Sequence, residues 1–370
     1  MISRPAALAL AALAAAPALA AAQTSTAPYV PPFQGTAPGV AWNTVDLGTC
    51  SVASGTAVVN GAFAGCNSGN NSGIASPAFA TAAFGSIWTA ANGGYGGSPA
   101  TYLQAITPGT SQASPGIMVT GIDAPQAGVQ GGSYLWVAGA TAEQGNGRTA
   151  AMVVGVDSAG TVRKRFTSRV RAVGGMGQSV AYGAGKVWVG DAANRIYALS
   201  PSTGKLQRTI STPNTKGLAV SGSTLWATSA TGRTVRVFNT STGTQRAVFK
   251  VTGSPNAVVS ASGSVWVFSQ RYLYRYNPRS LKQTGRYAAP LSQSGWLGAV
   301  AGPGGIWASN YVAQVVRFNT STRTFDVNAT WSNGDVAGGI GSAGGAVWVA
   351  NRGFSPAPVS HSVTRFVPSP

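Results

Sequence analysis

Gly263-Ser264-Val265-Trp266-Val267 decides the fold, because the chain repeats it. Its relatives are Gly85-Ser86-Ile87-Trp88, Ser133-Tyr134-Leu135-Trp136-Val137, Gly185-Lys186-Val187-Trp188-Val189, Ser223-Thr224-Leu225-Trp226-Ala227, Gly304-Gly305-Ile306-Trp307-Ala308 and Gly345-Ala346-Val347-Trp348-Val349. Seven of the ten tryptophans stand in this context, spaced by 48, 52, 38, 40, 41 and 41 residues. A period near 40 marks a repeat architecture in which each unit buries its apolar face against the next.

The sixth repeat shows the parts of the unit. Leu297-Gly298-Ala299-Val300-Ala301 reads as a strand of small residues suited to a crowded axis, and Pro303-Gly304 as a turn. Ile306-Trp307-Ala308-Ser309 is the second strand, and Val315-Val316-Arg317-Phe318-Asn319 the third, alternating with period two. Thr320-Ser321-Thr322-Arg323 turns into an outer strand, Thr324-Phe325-Asp326-Val327. Four antiparallel strands in about 40 residues make the blade of a β-propeller. The Gly, Pro and Thr content excludes helical repeats of similar length. Seven Trp motifs predict an all-β fold of seven four-stranded blades, with each Trp filling the gap between neighbouring blades. The chain stops after a third strand, Val363-Thr364-Arg365-Phe366-Val367. An open edge there would template aggregation. The N-terminal region is therefore expected to supply the missing strand, from Ala41–Leu47 or Thr56–Asn60.

Upstream of the repeats, Met1-Ile2-Ser3-Arg4 leads into an Ala-rich apolar run to Ala22. A cationic start, an apolar stretch and small residues near its end describe a secretory signal peptide. The alternative, a membrane anchor, suits so Ala-rich a run less well. The expected organisation is a signal peptide over 1–22, an extended Pro-containing arm over 23–55 and the propeller over 56–370. The mature protein is expected to be secreted or periplasmic, monomeric and without a membrane span. Cys50 and Cys66, an even pair in an exported chain, are expected to form a disulfide.

The chain carries 25 basic and 7 acidic residues, a formal net charge of +18. Loss of Arg4 with the signal peptide leaves 18 − 1 = +17. In an exported protein such a field suits anionic glycans, envelope polymers or acidic small molecules rather than nucleic acid. Solubility in an acidic medium is the plainer account.

The pattern Gly-x-[Val/Ile]-Trp-[Val/Ala], followed by Val-Arg-Val-Phe-Asn-Thr-Ser-Thr-Gly at 235–243 and its counterparts, resembles the seven-bladed streptogramin (virginiamycin B) lyase-like propellers and their non-enzymatic YVTN-repeat neighbours. The resemblance covers roughly residues 75–370. It implies the fold, and either a binding role or a lyase activity. The lyases are similar in architecture and use His residues with a Mg²⁺ held partly by Glu. The only His and Glu of this chain are His361 and Glu143. No metal or cofactor is expected here.

Counting from each Trp places the candidate site, because in a propeller the loops entering the inner strand and those joining strands two and three share one face. Ten residues before the Trp stand Ala78, Gln126, Gln178, Lys216, Asn256, Leu297 and Gly338. Three after it stand Ala91, Gly139, Asp191, Ser229, Ser269, Asn310 and Asn351. Just beyond come Arg195, Arg233, Arg271 and Arg352. Amides and hydroxyls inside a ring of arginines suit carboxylate, sulfate or phosphate groups. The competing reading is ordinary turn chemistry for the Asn and Ser residues. The third-strand arginines Arg236, Arg275, Arg317 and Arg365 recur with the blade and read as structural. His361, in a long loop of the seventh repeat, is the one group titrating near neutrality. It is the candidate base if the protein is a lyase on an anionic polysaccharide or a streptogramin-like lactone. Paired carboxylates for glycoside hydrolysis do not fit a chain so poor in acids. The leading expectation is a non-catalytic binding propeller for an anionic glycan, an envelope polymer or a protein partner.

Overall fold

A computed structural model describes residues 34–47, 49–53, 56–60, 77–92, 100–114, 116–141, 148–173, 175–290, 295–312, 314–330, 335–353 and 362–368. Among them it shows seven antiparallel sheets in a ring, each built on one Trp motif, and no helix. The sixth blade runs Trp296–Gly302, Gly305–Asn310, Gln314–Asn319 and Thr324–Thr330, the strands expected from its sequence.

The recurrent Gly of the motif has a conformational cause. Ser262 and Gly263 both have positive φ, 49° and 68°. That is the two-residue hairpin turn whose twist matches the flanking strands. Phe84–Gly85, Ala184–Gly185 and Gly344–Gly345 repeat it. The Asn that ends the third strand closes the opposite turn. Asn239 Oδ1 accepts the N–H groups of Ser241 and Thr242 at 2.8 and 2.9 Å. Asn277 and Asn319 do the same in blades five and six.

The core is divided between the blades. Each motif Trp sits in a separate apolar cluster with residues of the following blade: Trp226 with Val265, Val267 and Tyr274, and Trp266 with Ile306, Val316 and Phe318. Trp348 of blade seven packs on Ile87 and Ile106 of blade one, which completes the ring of clusters. Six of the seven indole N–H groups donate to a carbonyl four or five residues back, as Trp266 does to Ala261 at 3.2 Å. The exception, Trp226, donates to Thr224 Oγ1. Each ring thus buries a large apolar area without stranding its polar atom.

Blade seven is closed from the other end of the chain. Val40–Asp46 pairs antiparallel with Ser362–Pro368, from Val40 opposite Pro368 to Asp46 opposite Ser362. Gln34–Ala37 then adds a fifth strand outside it. Of the two candidate closing segments, the first is used. Thr56–Asn60 instead pairs with Thr49–Ala53 in a separate hairpin. The segment read as an arm up to residue 55 thus places Gln34–Asp46 in the ring.

Candidate functional site

The first strands of all seven blades lean on a crowded axis and leave one cavity there, of about 160 Å³. Gln126, Gln178, Lys216 and Asn256, one from each of blades two to five, line one side of it. Phe79, Leu297 and Ile340, from blades one, six and seven, line the other. The cavity is therefore amphipathic, with a polar arc and an apolar arc. No carboxylate is among its lining residues.

The apolar arc was only partly foreseen. Counting back from the Trp gives Leu297 but misses Phe79 and Ile340, because the counted residues of blades one and seven, Ala78 and Gly338, carry little or no side chain, and residues further along those strands line the cavity instead. A slip in the pairing of first and second strands is not the cause, since blades three and six slip at the same place as blade one and still present Gln178 and Leu297. The signal for Phe79 was a glycine on its neighbour. Its ring lies against Gly128, where any side chain would collide with it.

Electrostatics and hydrogen bonding single out four residues on the polar arc. Lys216 is exposed to the cavity, yet desolvation by the surrounding protein lowers its pKa from the ordinary lysine value. Gln178 Oε1, Asn256 Oδ1 and Ser179 Oγ are buried and have no hydrogen-bond partner among the described residues. Gln126, by contrast, donates through Nε2 to the carbonyl of Ala124 at 3.1 Å. An unpartnered buried polar atom is costly, and three of them border one small cavity with one ammonium.

The residues just after the Trp lie elsewhere. Asp191 is 1 % exposed. Its Oδ1 accepts the backbone N–H of Arg195 at 2.7 Å and its Oδ2 accepts the Tyr197 hydroxyl at 2.8 Å. Desolvation raises the pKa of Asp191, and burial together with Asp191 pushes Tyr197 up to about 12. Asn310 Oδ1 accepts the N–H groups of Val312 and Gln314. Asn351 Nδ2 donates to Ser362 and Thr364. All three side chains hold strands two and three together, and none lines the cavity.

The arginines do not form one ring either. Arg195 lines a groove on the outside of the molecule, between blades two and three. Arg233 and Arg271 are exposed on loops. Arg352 lies on the strand Ala346–Gly353, its backbone opposite Val336. The strand Thr49–Ala53 carries Cys50. His361 and Cys66 lie outside the described residues, as does Glu143. No group of three or more potential metal ligands occurs among the described residues, and no helix there is long and apolar enough to cross a membrane.

No protein-family model matches the chain, and no curated protein matches it in sequence.

Proposed function

We propose that the protein is an exported binding propeller whose central cavity takes a hydroxylated organic anion, such as the acidic sugar unit of an envelope glycan. One observation carries this reading: Lys216 lines the same small cavity as Gln178, Ser179 and Asn256, whose buried Oε1, Oγ and Oδ1 have no partner among the described residues. The ammonium suits a carboxylate, and the orphaned acceptors suit the hydroxyl groups beside it. The apolar arc would meet the carbon face of the same unit. A cavity of about 160 Å³ suits one such unit and not a polymer segment. The streptogramin lyase-like kinship suggested by the Trp motif is proposed for the architecture alone. Export, removal of residues 1–22 and a Cys50–Cys66 bridge belong to the same proposal, and intact-mass measurement with and without reductive alkylation tests them.

The direct test is calorimetric titration with a uronic acid monosaccharide and with propionate, which has the charge and lacks the hydroxyls. Lys216→Gln is expected to weaken uronate binding about tenfold, the equivalent of one charge-assisted hydrogen bond. A double variant, Gln178→Ala with Asn256→Ala, should weaken uronate and leave propionate unchanged. Affinity should also depend on pH in one direction. The anion needs the charged ammonium, so binding fades as pH rises through the lowered pKa of Lys216, below the ordinary 10.5. If Lys216→Gln binds like the wild type, the anion assignment is wrong. The same uronate polymers, followed for unsaturated products by ultraviolet absorbance, test the alternative of a lyase.

A further inference from the structure

A second concave site lies off the axis. It runs between the outer strands of blades two and three, has a volume of about 550 Å³, and is where Arg195 comes to rest. We propose that this lateral groove is a second binding site, for an extended acidic glycan. It does not depend on the reading of the central cavity, since the two share no lining residue.

The charge comes from one strand. Val162–Val173 is the outermost strand of blade two and reads VRKRFTSRVRAV. Arg163, Arg165, Arg169 and Arg171 are all exposed along it. Two are engaged locally. Arg163 pairs with Asp157 at 2.7 Å and Arg165 donates to the carbonyl of Thr120 at 2.9 Å. The guanidinium groups of Arg169 and Arg171 have no hydrogen bond or ion pair among the described residues; Arg169 lines the groove, and Arg171 stands two residues further along the same strand, outside its lining. Alternate residues on a strand stand roughly 7 Å apart. Cations so spaced match charges on successive units of a linear polyanion better than one small ion. Arg195 brings a further charge from blade three to the same groove.

No acid opposes them at the groove. Asp191 lies beneath it, but is buried with both carboxylate oxygens bonded, to the Arg195 N–H and the Tyr197 hydroxyl. Tyr197 also shares a 2.6 Å hydrogen bond with Ser168, which fixes the groove floor from blade three to blade two.

The rest of the lining selects among polyanions. Thr209 offers an exposed hydroxyl that can exchange hydrogen bonds with a sugar, and Thr167, whose hydroxyl donates to Met152 Sδ at 3.0 Å, can still accept one. Leu206 is 48 % exposed and, with Val170, offers an aliphatic wall. Stacking of nucleic-acid bases requires open aromatic faces. Tyr197 is 3 % exposed, and Phe166, whose ring lies 5.2 Å from it, is half-buried against it, so neither offers a fully open face. Hydroxyls, aliphatic surface and spaced guanidinium groups together fit an acidic glycan.

The test uses the mature protein and fluorescently labelled uronate and sulfated hexasaccharides, followed by anisotropy over a range of salt. The variant Arg169→Ser with Arg195→Ser is expected to lose about tenfold in affinity, and its binding should depend less steeply on salt. Arg246→Ser with Arg279→Ser removes the same charge from exposed positions elsewhere and should change affinity less than twofold. Leu206→Ser, which removes no charge, should weaken binding several-fold with an unchanged salt dependence. Equal losses in the two double-arginine variants would mean that binding follows net charge and would overturn the site. So would a thymidine dodecanucleotide that binds as tightly as the hexasaccharides. Circular dichroism and the melting temperature of each variant confirm that the compared proteins are folded.

Discussion

Two sets of arginines recur in this chain at regular distances from the motif Trp, and the structure treats them differently. The third-strand set stays with the blade. Arg275, Arg317 and Arg365 each lie opposite the Trp of their own blade in the strand register, and each guanidinium sits 5.3 to 5.6 Å from the centre of that Trp ring. Arg236 is opposite Ala227 instead, one position off, and binds Gln245 in place of an indole. The loop set disperses. Arg195 turns to an outer groove, while Arg233 and Arg271 stay in solvent. A strand position inherits its surroundings from hydrogen-bond register. A loop position does not, because turn length and bulges differ from blade to blade.

Stability measurements break or sharpen this contrast. The largest effect is expected for Arg317→Ala. Arg317 holds Asp326 through two hydrogen bonds of 2.7 and 3.0 Å and covers Trp307. Its loss leaves Asp326 with Asn319 alone and should cost about 1.5–3 kcal/mol by urea denaturation. That cost should shrink in acid. Burial acts to raise the pKa of Asp326, but the hydrogen bonds from Arg317 and Asn319 prevail and lower it from 3.8. A lowered carboxylate pKa stabilises the fold above 3.8, and this contribution fades as pH falls through the lower folded value. An unchanged penalty well below that range would remove the ion pair from the account.

Arg275→Ala comes next, at about 0.5–1 kcal/mol, since it forfeits a cation–π contact and a 2.9 Å hydrogen bond to Ser264. Arg236→Ala should fall below it, because it forfeits no cation–π contact and only an exposed hydrogen bond to Gln245, and removes a buried Nε that has no partner. Should Arg236→Ala prove the costlier of the two, register is not what sets the worth of these arginines. Arg233→Asn and Arg271→Ser should be the mildest, within about 0.5 kcal/mol, as for other exposed substitutions. Asn suits position 233 because the backbone there has a φ of +48°.

The blade was legible because its signals are local and repeated. A Gly that permits a hairpin turn and a Trp that fills an interface recur at fixed offsets and are used as expected, and the recurrent Asn that ends the third strand proves to close the next turn. The polar arc was legible for the same reason, since Gln126, Gln178, Lys216 and Asn256 share one strand position. What escaped was set by side-chain size and by contacts that composition does not show. Phe79 and Ile340 line the cavity where the counted residues, Ala78 and Gly338, are too small to do so. Asp191, Asn310 and Asn351 looked like ligand donors, yet their polar atoms hold the hairpins they stand in. The composition of a loop does not say whether an amide faces its own backbone or solvent. The lateral groove had no sequence signature beyond the run of basic residues in Val162–Val173, because its walls come from two blades.

The strand that shuts the ring also sets a timetable. Val40–Asp46 is made long before its partner Ser362–Pro368. Six blades can complete their own sheets while the seventh lacks an edge strand. Pairing across so much chain is slow, because the loop must close before the contacts reward it. Until then each end presents an unsatisfied row of backbone groups to whatever is near. A chain that met a second copy in that interval would have the means to swap strands. Refolding at rising protein concentration should therefore yield exchanged dimers, and the yield should fall when the two ends are tethered.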